Sequence, residues 1–131
     1  LDKIVDDAGM VSRQEAVAMR AESSATVLFL PSRPEDDGTI PSKVFDYIVT
    51  GRPVLAVGDP ACEPGRILAD AGAGSAVVDA KAVTARLKQL AAAQAEGTLE
   101  EHAVPAEGAA RYSGRAMAES FAGLLDEIVG R

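Results

Sequence analysis

Tryptophan is absent from this chain, and its aromatic rings come from only three phenylalanines and two tyrosines. Its core must therefore be aliphatic. With 47% apolar residues, chiefly Ala, Val and Leu, the composition suits helices packed on a buried parallel sheet. A single cysteine, Cys62, excludes an intramolecular disulfide and fits a reducing cytosol. Basic residues are in the minority: 13 Lys and Arg stand against 20 Asp and Glu, a formal charge of −7. Without a basic stripe or interleaved aromatics, that balance excludes non-specific nucleic-acid binding. No apolar run reaches bilayer length, and no signal-peptide pattern opens the chain. The expectation is a cytoplasmic protein with no integral membrane segment, peripheral contact with the inner membrane face staying open. Neither an internal repeat nor a low-complexity linker is present. At 131 residues the chain suffices for one domain but not for a two-domain enzyme. It starts at Leu1 rather than Met, with Ile4-Val5 almost immediately inside, and so reads as part of something longer.

What is there alternates between strand and helix. Leu1 to Val5 reads as a short first strand, followed by the turn Asp6-Asp7-Ala8-Gly9. Ser12-Arg13-Gln14-Glu15 is a capping box opening a helix to about Glu22. Val27 to Leu30 is an apolar run too short for a helix and bounded by Pro31, hence a buried strand. The loop Ser32 to Ile40 holds two turn formers and three acids, and Pro41 suits the first turn of the next helix. Val44, Phe45, Ile48 and Val49 stripe that helix, and Gly51 stops it. Val54 to Val57 is the next buried strand. A helix from about Pro64 to Ala71, a short strand Ser75 to Val78, and a helix from Ala80 to about Ala95 capped by Asp79 follow. The last of these is expected to bury Val83, Leu87, Leu90 and Ala91. Thr98 to Ala110 breaks the pattern around Pro105 and Gly108. Ser113 then caps a final helix whose Met117, Phe121, Leu124, Leu125 and Ile128 face a partner.

Strands separated by helices predict βαβ units: an α/β fold with a three-layer, Rossmann-like parallel sheet over residues 1–131. Ligands of such sheets bind beyond the carboxyl ends of the strands, where the Pro31 to Ile40 loop meets the Pro41 helix. There the N–H groups around Gly38, Thr39 and Ile40 and the helix start can hold a diphosphate, with Ser42 and Lys43 as further donors. Asp46 supplies a carboxylate one turn on. Plainer readings stand beside these. Asp46 and Lys43 could be solvated surface residues, and Gly38 and Pro41 loop punctuation. Glu35-Asp36-Asp37 could bind Mg²⁺ or Ca²⁺, although adjacent acids usually splay apart and stay hydrated. Cys62 reads as structural, His102 as solvated, and the Met117 to Ile128 stripe as core or interdomain packing.

The order of G-x-V-S-R-x-E from Gly9, A-T-V-L-F-L-P-S from Ala25, Lys43-x-x-Asp46-Tyr47, G-R-P-V-L-A from Gly51 and G-A-G-S-A-V-V-D from Gly72 resembles a known family. It is the C-terminal, donor-binding half of retaining GT-B glycosyltransferases of the family-4 type. The Arg111-Tyr112-Ser113 helix start continues the likeness, which spans essentially the whole chain. The resemblance implies two Rossmann-like domains, with a nucleotide-diphosphate-sugar held mainly by this one and neither metal nor cofactor required. It places the second of the family's two donor-site glutamates on Asp46, as acceptor for the ribose hydroxyls, and the first on Gly38, which has no side chain. Glu35 or Asp37 would have to take over that role. It also brings the backbone of the Met10-Val11 turn near the nucleobase.

The same resemblance implies a parent enzyme that transfers a sugar from its nucleotide donor to an acceptor, whereas this chain alone should not turn over. A non-catalytic nucleotide-binding module and a GT-B nucleotide-sugar epimerase are the alternatives. In the family's sheet the Val27 to Leu30 strand has a further neighbour that this chain does not supply. A homodimer through that exposed edge, or rearrangement of the first strand to cover it, is therefore expected.

Overall fold

The computed structural model describes residues 4–30 and 39–130. Helix α1 (Arg13–Glu22) begins as its sequence demands. The Ser12 hydroxyl accepts from the Glu15 N–H, and the Glu15 carboxylate accepts from the Ser12 N–H at 2.8 Å. Yet α1 buries none of its side chains. A ten-residue helix without a core face is marginal in water, so this reciprocal cap, worth about 1 kcal/mol, matters more here than in a packed helix.

Strand β1 (Thr26–Phe29), helix α2 (Lys43–Val49) and strand β2 (Val54–Val57) form a parallel βαβ unit, in register from Thr26 opposite Val54 to Phe29 opposite Val57. The fold is thus α/β with a two-stranded parallel sheet. Thr26, Leu28, Val54 and Ala56 share one face. Leu28, Val54 and Ala56 meet Val44 and Ile48 of α2, Leu68 of α3 (Glu63–Asp70) and Val104 there in the main core. Leu55 points the other way and is buried where α4 (Ala80–Glu96) packs on β2. A 3-10 turn at Leu99–His102, α5 (Ala106–Arg111) and α6 (Gly114–Val129) complete the chain.

Several expectations change in the folded chain. Strand β1 is buried on one face only: Val27 is 46% and Phe29 76% exposed, because α4 covers β2 and not β1. The strand expected at Ser75 to Val78 shrinks to one parallel bridge, Val77 with Val57, held by the Val77 N–H on the Ala56 carbonyl and the Gly58 N–H on the Val77 carbonyl. Gly74 at positive φ and the Asp79 cap leave too little extended chain for more. Pro41 stands outside α2, which starts at Lys43. Helix α4 buries Leu90 and Ala93, whereas Leu87 and Ala91 are exposed, since its contacts with β2 and the 3-10 turn select a neighbouring face. Ile4 and Val5 belong to no strand, and residues 1–3 lie outside the described ones. Among the described residues nothing buries the α6 stripe, from Met117 to Ile128.

Candidate functional site

Helix α2 is oriented by its core side chains. Val44 and Ile48, one turn apart and fully buried, fix the face it turns inward. Lys43 and Asp46 therefore project from other faces, Lys43 exposed and Asp46 half-buried. Thr39, Ile40 and Ser42 precede them and are exposed as well. The Ser42 hydroxyl makes no cap hydrogen bond, and among the described residues no side chain accepts from the N–H groups of the first turn, where the Val44 N–H donates to the Pro41 carbonyl at 3.0 Å. Gly38, Glu35 and Asp37 fall outside the described residues.

On the other side of Asp46 lies a residue that its sequence position does not announce. Arg20, in the last turn of α1, places Nη1 3.2 Å from Asp46 Oδ2 and its guanidinium 6.0 Å from the centre of the Tyr47 ring. Its Nε is buried and finds no acceptor among the described residues. Nearby, the Arg52 guanidinium donates to the Ala21 carbonyl at 2.8 Å. These contacts, rather than apolar packing, fasten the end of α1. The only local hint was a cation in a helix's last turn, where it favours the dipole; nothing in the spacing of 26 residues pairs it with Asp46.

Val11 lies at the opposite end of α1 from Arg20. It stands before the Ser12 cap, roughly 14 Å of helix axis from Arg20 at 1.5 Å per residue, and no hydrogen bond among the described residues links it to α2. Cys62 occupies the cap position of α3 and is partly buried. His102 is less solvated than its polar neighbours suggest, with Nδ1 3.4 Å from Arg86 Nη1. Among the described residues no three His, Cys, Asp or Glu side chains gather as metal ligands, and no helix is long and apolar enough to cross a membrane.

A second polar cluster braces α2 from behind. Asp70 Oδ2 accepts from the Tyr112 hydroxyl and from Arg111 Nη1, each at 2.8 Å, and the Tyr112 ring lies 6.0 Å from that of Phe45. The Tyr112 hydrogen bond, then Arg111, holds the Asp70 carboxyl below its usual range. Burial, then the Asp70 hydrogen bond, pushes the Tyr112 hydroxyl up. An unfolded tyrosine loses its proton near pH 10 and the folded one later, so the unfolded state holds fewer protons in between and stability falls as pH rises. For Asp70 the sign is opposite: its contribution is present above the unfolded pKa and is lost as pH falls through the folded one. Tyr112→Phe should therefore flatten the alkaline limb of a urea-midpoint profile relative to the wild type. Superimposable limbs above pH 10 would disprove the link.

Comparisons with protein-family models, curated proteins and solved structures found no match to this chain.

Proposed function

We propose that this chain is the donor-binding part of a glycosyltransferase that moves a sugar from a nucleotide diphosphate to an acceptor. The observation that carries the reading is the parallel β1–α2–β2 unit, whose helix begins without a side-chain cap from Ser42 and carries Lys43, exposed, and Asp46, half-buried, on its first turn. In this reading the fold is a Rossmann-like, three-layer domain of a retaining GT-B enzyme working in the cytoplasm. Backbone N–H groups at Thr39, Ile40 and Ser42 and the Lys43 ammonium hold the diphosphate and offset the charge that develops as it departs. Asp46 accepts from the ribose hydroxyls. A helix end with a lysine performs this task without a metal. The chain alone binds donor and does not turn it over.

Calorimetric titration with UDP-, GDP- and ADP-sugars tests the binding. At least one should bind, and Lys43→Ala should weaken it roughly tenfold or more, the scale of a lost charge-assisted hydrogen bond. Binding unaffected by both Lys43→Ala and Asp46→Ala would sink the assignment. In the full-length parent, epimerisation of the donor without transfer would favour an epimerase, and binding without either reaction a non-catalytic module.

Among the described residues β1 pairs only with β2, and the same reading leaves its other edge without a neighbour. The N–H groups of Thr26 and Leu30 are used by β2, so by alternation those of Val27 and Phe29 face the free edge. Antiparallel pairing of two copies about Leu28 would set Val27 opposite Phe29 twice over, satisfying both. The isolated chain should self-associate with concentration, and Phe29→Lys should suppress this. Light scattering that finds a monomer at every concentration would contradict it.

A further inference from the structure

Asp46 is not a free carboxylate, and its partner has an unusual setting. Arg20 is the more sheltered of the pair, its side chain 21% exposed against 43% for Asp46. A pair this exposed contributes about 0–1 kcal/mol to stability, and leaving the Arg20 Nε buried without an acceptor works against even that. Core packing does not account for the contact either, because α1 buries no side chain. What the contact does accomplish is orientation. It engages Oδ2 of Asp46 alone, and Oδ1 accepts nothing among the described residues. Tyr47, beneath the guanidinium, keeps the arginine from swinging into solvent.

We propose that Arg20 is a positioning residue for nucleotide recognition, fixing one oxygen of Asp46 so that the other meets the ribose hydroxyls. The inference rests on the donor-binding reading of Asp46 above. Two physical effects support it. A pinned carboxylate has lost its rotational freedom before the ligand arrives, so less ordering accompanies binding. The guanidinium also offsets the Asp46 charge, which would otherwise repel a diphosphate bound at the start of the same helix, in a chain whose formal charge is already −7.

Calorimetric titration of the full chain with UDP, GDP and ADP, each beside its 2′,3′-dideoxy form, tests the idea. The readout is the ratio of the two affinities within each variant. General loosening of the fold lowers both affinities and leaves that ratio unchanged. The wild type should prefer the ribonucleotide by roughly tenfold or more, the scale of hydrogen bonds to a charged acceptor. Asp46→Asn should lose most of that preference. Arg20→Gln should lose it too, while Arg20→Lys, which keeps the charge and a donor, restores part of it; thermal melts of all variants verify folding. If Arg20→Gln keeps the wild-type ratio while Asp46→Asn does not, this inference is overturned and the donor-binding reading stands. If Asp46→Asn also keeps the ratio, or no diphosphate binds the wild type, the reading of Asp46 falls and the role of Arg20 falls with it.

Discussion

Gly108→Ala is expected to lower stability by about 3 kcal/mol or more. A Cβ at this buried position would sit 1.9 Å from the Ala71 carbonyl oxygen and 2.8 Å from its carbon. Both are backbone atoms at the C-terminal end of α3, so no rotamer change relieves the overlap, and α5 must move away from α3. That shift also disturbs Tyr112, which follows α5 directly and hydrogen-bonds Asp70. Alanine is the better helix former by about 1 kcal/mol, which offsets only part of the loss. Gly123 in α6 is the matched control: nothing lies within 4 Å of its added Cβ, so Gly123→Ala should be neutral or stabilising by up to about 1 kcal/mol. Urea titration reads both. Equal midpoints for the two variants would show that α5 does not rest on α3 as described.

Ile48→Ala should cost about 3 kcal/mol by leaving a cavity beneath the candidate site. Ile48 and Val44 are the only buried side chains of α2, and both are fully enclosed. Seven residues make about two turns, too short a helix to persist without tertiary anchors. Removing one of its two anchors should therefore reach beyond the core. Arg20–Asp46 and Phe45–Tyr112 both depend on the position of α2, and nucleotide affinity should fall along with the urea midpoint. Val49→Ala, on the same helix but at a side chain 46% exposed, should cost less than about 1 kcal/mol. Nucleotide affinity unchanged in a destabilised Ile48→Ala protein would detach the site from α2.

The two sets of variants probe different kinds of information. Ile48 could be anticipated, because Val44 and Ile48 recur at helical spacing between a loop and Gly51, which indeed closes α2 at φ +71°. Gly108 could not: it reads as a pattern breaker in an acidic stretch, and the carbonyl it accommodates is 37 positions earlier in the chain, at Ala71. The candidate site divides in the same way. Thr39, Ile40, Ser42, Lys43 and Asp46 fall together because they are neighbours in sequence at one helix start. Arg20 arrives from another helix, and that pairing had no local sign.

Residue chemistry was enough to define the caps and the stops. Ser12, Asp79 and Ser113 each accept from an N–H three residues on, and Gly51 follows α2 in the left-handed region. These are interactions within one turn, complete before any element meets another. Burial obeyed a different logic. Which face of α4 is covered, why Phe29 lies open, and why Val77 makes one bridge rather than a strand all depend on which elements meet across long stretches of chain. Apolar periodicity states that a face exists, but contact alone decides what lies against it, since the hydrophobic driving force has no direction of its own.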